Sequence, residues 1–204
     1  MTDAFSPIEG LLETLRGVAR RRRTLLVGID GGGGAGKSTL AREIRDRADG
    51  VTIIEFDDFY RPSLERKRLS AAKDQEVGRN FDWRRLRSQV LLPLAQDQST
   101  RYQRYDWVAD ELADWVVVPA GGVVIVEGCY SIRRDLFDFY DHTIWVDTPP
   151  ELRLQRGLAR GGADTKERWL REWLPEEERF VEAENPSTRA QLVIAGTWSR
   201  PSAG

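Results

Sequence analysis

The chain is poor in residues that build covalent or metal frameworks. Among its 204 residues there is one cysteine, Cys129, and one histidine, His142. A lone cysteine cannot close an internal disulfide, and a metal site assembled from several cysteines is excluded. Cys129 borders an apolar run and reads as a small buried residue. No apolar stretch is long enough to span a bilayer. A secretory leader is not expected either. Arg20 to Arg23 precede the apolar run 24–29, but Asp30 and a glycine run arrive before an h-region and a cleavage site could be completed. The reading is therefore a cytoplasmic protein with no membrane partner. An excess of charge of one sign is missing too: 31 Lys and Arg face 33 Asp and Glu, a net −2. A nucleic-acid partner is not expected from this balance. Arg20 to Arg23 read as a solvated helix end.

What is present is a core and a periodicity. Hydrophobic residues make up 40% of the chain, enough for one domain of ordinary size over 1–204. Ile8, Leu11, Leu12, Leu15, Val18 and Ala19 recur at helical spacing, with Ser6 placed as N-cap and Pro7 in the first turn, inside an N-terminal region 1–23. Short apolar runs at 24–29, 51–56, 123–126, 143–146 and 192–195 read as buried strands. Helical patterns fall at 37–48, 82–95 and 149–160, with Leu86, Val90, Leu91 and Leu94 on one side of the second. Residues 61–80 read as a mobile helical loop, and 101–107 with 115–118 as a small hairpin. Pro201 to Gly204 read as a loose tail. Continuous apolar strands alternating with helices predict an α/β fold: a parallel sheet with helices on both faces. The first four strands end at Asp30, Asp57, Glu127 and Asp147. In an open parallel sheet these ends share the edge where ligands bind.

One motif stands on that edge. Gly31, Gly32, Gly33, Gly34, Ala35, Gly36, Lys37, Ser38 and Thr39 follow a strand and open a helix, in the P-loop pattern. Glycine lets the backbone bend sharply and present bare N–H groups to phosphate oxygens, and the helix adds its positive end. In such a loop Lys37 reaches the β- and γ-phosphates and Ser38 holds Mg²⁺. A flexible linker would not sit between a buried strand and a helix. Glu127, at the end of a neighbouring strand, is a second Mg²⁺ candidate, with a turn carboxylate as its plainer reading. Asp57 and Asp58 leave the second strand on the same edge, as an acceptor-side base or a helix cap.

Five segments, VGIDGGGGAGKST, FDDFY, NFDW, RYDW and VVIVEG, resemble the uridine kinase and phosphoribulokinase family of P-loop kinases, in the family's order across roughly residues 25–160. The resemblance implies a P-loop NTPase core of five parallel strands, a small lid at 150–175 and an acceptor-binding insertion at 61–118 that holds the hairpin. It implies ATP and Mg²⁺ as cofactors, a small-molecule acceptor, an oligomer, and transfer of the γ-phosphoryl group to a hydroxyl, foremost the 5'-hydroxyl of a nucleoside such as uridine or cytidine. Position by position it makes Asp57 the catalytic base and Glu127 the magnesium carboxylate. Tyr60, Asp82, Tyr105 and Trp107 become acceptor contacts, and Arg156 and Arg160 become lid arginines that clamp phosphate, with Arg153 on the same helical face. The sequence departs from the family where uridine kinases carry a pyrimidine-reading histidine: Asp110 stands there. A kinase for another metabolite alcohol, such as a sugar or a pantothenate-like compound, is therefore the alternative. A non-catalytic nucleotide switch is the alternative of another class, although the Asn-Lys-x-Asp guanine motif is missing. Trp169, Trp173 and Trp198 have no assigned role, as core, interface or base contact.

Overall fold

A computed structural model describes residues 7–19, 22–71 and 76–197. The expected cap Ser6, Arg20 and Arg21 of the basic run, Trp198 and the tail 201–204 lie outside the described residues.

The main sheet has five parallel strands in the order β2-β5-β1-β6-β7. These are β1 (Thr24–Asp30), β2 (Val51–Glu55), β5 (Gly122–Glu127), β6 (His142–Asp147) and β7 (Leu192–Ala195). β1 is central and buried along its whole length. Its side chains alternate between two cores, as a period of two requires. Leu25, Val27 and Ile29 pack with Leu40 and Ile44 of α2 (Lys37–Arg47) and with Leu11 and Leu15 of α1 (Pro7–Gly17). Leu26 points the other way, into a core with Leu86, Val90, Leu91 and Leu94. The two cores explain why the strands read as unbroken apolar runs: both faces are covered.

The helical stretch predicted over 82–95 forms as α4 (Trp83–Leu86), a π turn (Arg87–Leu91) and α5 (Leu92–Ala95). Pro93 has no N–H for the Gln89 carbonyl four residues back, and the Thr100 hydroxyl donates to that carbonyl instead. Residues 61–80 hold a regular helix, α3 (Ser63–Ser70). The hairpin is β3 (Thr100–Asp106) with β4 (Glu111–Val118), antiparallel and irregular in register between Gln103 and Tyr105. β4 begins four residues before the predicted 115, because Asp106 closes a tight turn by accepting from the N–H groups of Val108 and Ala109. His142 opens β6 and is buried, and burial lowers its pKa.

After α6 (Arg134–Phe137) and β6 comes α7 (Pro150–Gly161). A helical segment then crosses the strand ends: α8 (Lys166–Arg168), a π turn (Trp169–Trp173), α9 (Leu174–Glu184) and α10 (Pro186–Arg189). Glu55 of β2 stands level with Glu127 of β5, which stands level with Ile29 of β1, so the carboxyl ends form one edge. No helix among the described residues is long and apolar enough to cross a membrane.

Candidate active site

The loop after β1 turns sharply around Gly31, Gly34 and Gly36, which have φ of 146°, 75° and 108°. A Cβ on Gly34 would stand 2.4 Å from the Arg153 carbonyl, so both backbone angle and space demand glycine. Asp30, at the end of β1, serves the loop itself. Its carboxylate is buried and accepts from the N–H groups of Gly31 (2.6 Å), Tyr130 (3.0 Å) and Ile132 (3.0 Å). It thereby ties the phosphate loop to the loop that follows β5. Burial pushes its pKa up to about 7, against the pull of those amides and of Lys37.

Lys37 is the first residue of α2 and is 7% exposed. Its ammonium donates to the Gly32 carbonyl at 3.0 Å and lies 3.5 Å from the Cys129 sulfur. Burial works against its charge, but Cys129, Glu127, Glu177 and Asp30 together hold its pKa above the ordinary lysine value. Glu127 is buried beside it, close to the Ser38 side chain. Burial raises the Glu127 pKa, opposed by Lys37 and Ser38. A hydroxyl and a carboxylate side by side are hard oxygen donors of the kind Mg²⁺ takes when phosphates complete its shell. Among the described residues no cluster of three His, Cys, Asp or Glu forms a self-sufficient metal cage.

Two cavities meet on this edge. The first, of about 610 Å³, is lined by Gly33, Gly34, Gly36, Lys37, Ser38 and Thr39 together with Glu55, Glu127, Arg156 and Gly196. The second, of about 650 Å³, is lined by Tyr60, Arg79, Asn80, Phe81, Trp107 and Trp169, among others. Gly33, Asp57, Cys129 and Arg160 line both. Asp57 sits in the 3₁₀ turn Phe56–Phe59 directly after β2. It is open to solvent in the cleft yet crowded by protein on its other sides. Lost hydration raises its pKa, and Lys37 and Arg160 pull it down. The neighbouring acid has another use: Asp58 accepts from the Tyr102 hydroxyl at 2.6 Å, holding the hairpin against the turn.

The three arginines of α7 do not form a solvated face. Arg160 is exposed and lines both cavities. Arg156 donates to the carbonyls of Gly196 (2.9 Å), Gly34 (3.4 Å) and Ala35 (3.4 Å) at the cleft wall. Arg153 is buried in an ion pair with Glu177 of α9, away from the first cavity.

The expected acceptor residues divide. Tyr60 and Trp107 line the second cavity and stack on each other, with ring centroids 4.6 Å apart. Asp82 and Tyr105 do not line it. Asp82 caps α4 through the Arg85 N–H (3.0 Å) and pairs with Arg61 (3.0 Å). The Tyr105 hydroxyl donates to Asp110 at 2.5 Å, and Asp110 also accepts from the Ser63 N–H at 2.9 Å. These hydrogen bonds hold the Asp110 pKa down at about 2. Asp110 also supplies a left-handed turn residue, with φ of 55°, a conformation that Asp tolerates.

Two residues of the site had no clear signal in the sequence. Cys129, read there as a small core residue, is only half-buried and lies where the cavities join. Its apolar neighbours in sequence belong to β5, but the chain has already left the sheet at Gly128, which turns with φ of 155°. Glu177 lies in the acidic run 176–178 of a polar helix and matches no motif. Trp169 is buried, packs edge to face on Trp173 and lies over Gly33 and Gly157, so the tryptophans of this segment form part of the cavity wall.

Residues 26–169 match the Phosphoribulokinase / Uridine kinase family. A uridine kinase of Halobacterium salinarum is 31% identical over 182 residues, which cover 82% of this chain and 78% of that one. Among solved structures, a possible uridine kinase from Bacillus stearothermophilus superposes with a TM-score of 0.69 at 22% identity, covering 92% of this chain and 96% of that one. A putative fructose transport system kinase from Silicibacter sp. TM1040 gives 0.74 at 20% identity, covering 95% and 100%. With the P-loop in place, the match over most of the chain and the uridine kinase relative above 30% identity, this chain belongs to the phosphoribulokinase and uridine kinase family of P-loop kinases, phosphotransferases that use ATP.

Proposed function

We propose that the protein transfers the γ-phosphoryl group of ATP to a hydroxyl of a small molecule held in the 650 Å³ cavity. The observation that carries this reading is the junction: Gly33, Asp57, Cys129 and Arg160 line both cavities, so a phosphate in one and a hydroxyl in the other could meet there. Phosphoryl transfer asks a protein mainly for positioning and charge stabilisation. The loop amides and Lys37 would hold the triphosphate. Ser38 and Glu127 would hold Mg²⁺, which when bound neutralises charge on the phosphate oxygens. Asp57 would orient the acceptor hydroxyl and take its proton, and its raised pKa suits a base. Arg156 and Arg160 would stabilise charge on the phosphoryl group in transfer. The segments 61–80 and 150–175 would close over the cavities and exclude water.

The first acceptor reading is the 5'-hydroxyl of a nucleoside such as uridine or cytidine, and it is supported by the uridine kinase relative. A second reading, another metabolite alcohol such as a sugar or a pantothenate-like compound, is supported by the packing. Trp107 stacks on Tyr60, while the Arg66 guanidinium lies 4.5 Å over the same ring. Two partners on one ring leave little of its face for a nucleobase, and Asp110 is engaged by Tyr105 and Ser63. Trp107, 56% exposed, keeps open aromatic surface. A panel of nucleosides, sugars and hydroxy acids in an ATP-consumption assay with Mg²⁺ tests both readings. Acceptor-dependent ADP release supports a kinase and identifies the class. Turnover that needs no acceptor would favour a nucleotide switch.

A further inference from the structure

Glu177 is a buried carboxylate with three partners, all at the phosphate loop or beside it. Its Oε1 accepts from the Gly33 N–H at 2.8 Å and from the Cys129 thiol at 3.5 Å. Its Oε2 is paired with Arg153 of α7. Gly33 and Cys129 are two of the four residues common to both cavities. The carboxylate thus approaches, from the α9 side, the place where a phosphoryl group would cross. The fit is close: a Cβ on Gly33 would stand 3.0 Å from Glu177 Oε1 and 2.8 Å from the Trp169 ring. A carboxylate oxygen on a loop amide makes the bond that a phosphate oxygen would make there.

We infer that Glu177 is a positioning residue that occupies the γ-phosphate end of the loop until ATP displaces it, with Arg153 neutralising it in the meantime. The inference rests on the kinase reading. Two anions cannot share one amide at close range without a Coulombic cost. ADP ends one phosphate short of the junction and has no reason to move Glu177. The carboxylate therefore makes the protein discriminate between ATP and ADP, and ties the position of α9 to the presence of the transferable group. A carboxylate that only braced the fold would weaken or spare both nucleotides alike when changed.

The test is the ratio of ATP to ADP dissociation constants, measured by calorimetry with Mg²⁺ on the full chain and on Glu177→Gln. Glutamine keeps an oxygen for the Gly33 amide and removes the charge. The expected result is a shift of the ratio toward ATP by about five-fold or more. Because the change also frees the charge of Arg153, a double variant, Glu177→Gln with Arg153→Gln, is measured beside it. A shift that survives in the double variant supports the inference, and a return to the wild-type ratio overturns it. Should Glu177→Gln not fold, Glu177→Asp keeps the charge for Arg153 and withdraws it from Gly33 by one methylene; it is expected to shift the ratio in the same direction. An unchanged ratio, or one shifted toward ADP, overturns the inference. Wild-type protein that binds neither nucleotide sinks the kinase reading itself, whereas one that binds both, with variants that leave the ratio unchanged, sinks only the role of Glu177.

Discussion

The donor and acceptor sides of the site use their polar residues differently. On the donor side, Gly33, Gly34, Gly36, Lys37, Ser38 and Thr39 of the loop line the cavity together with Glu127 and Arg156. On the acceptor side, two of the four expected residues are engaged away from the cavity: Asp82 with Arg61 and a helix end, Tyr105 with Asp110. A phosphate chain is the same in every relative, so its cradle is written in backbone geometry that few residue types permit. An acceptor pocket is built from side chains, which can be turned toward a ligand or toward each other without any change in the backbone pattern.

The greatest loss of activity is expected on the donor side. Lys37→Ala is expected to leave no turnover above background in an ATP-consumption assay, since it removes the ammonium that lies on the loop. Undiminished rates would remove it from phosphate binding. Asp57→Asn, at the junction, is expected to cut kcat by about two or more orders of magnitude, with the Kd for ATP nearly unchanged in calorimetry. Its pH profile sharpens the point. A base acts unprotonated, so kcat/KM rises with pH through the raised Asp57 pKa, above the ordinary carboxylate range. That limb vanishes in Asp57→Asn. Arg160 holds the Asp57 pKa down, so Arg160→Gln moves the limb to higher pH; a limb that stays in place would separate the two residues. The smallest effect lies on the acceptor side. If Tyr105 is a brace for Asp110, Tyr105→Phe lowers Tm by about 2–4 °C and leaves the KM for ATP unchanged. A raised acceptor KM with no change in Tm would put Tyr105 in the pocket instead.

The fold was largely legible because its signals are local. The run 24–29 is apolar on both faces and became the fully buried β1, and Leu86, Val90, Leu91 and Leu94 at helical spacing became one buried face. The paired acids show the limit. Asp57 and Asp58 are adjacent and chemically alike, yet one opens onto the cleft and the other is held by Tyr102, some forty residues on. Arg153 and Arg156 likewise share a helical face with Arg160, but only packing against Glu177 and Gly196 turned them from solvent. Glu177 carried no signal, because a carboxylate on a polar helix gains its meaning from a loop 144 residues away.

The parallel sheet, the glycine loop and the lysine at its end can be read from the residue order alone, because strand burial and left-handed backbone angles admit few residue types and announce themselves over short spans. Which acids face the cleft, the binding of Asp110 by Tyr105 and Ser63, and the seat of Glu177 on the loop emerge from long-range packing. Those outcomes depend on which distant side chain reaches a given polar atom first, and a hydrogen bond across a hundred residues leaves no periodicity along the chain.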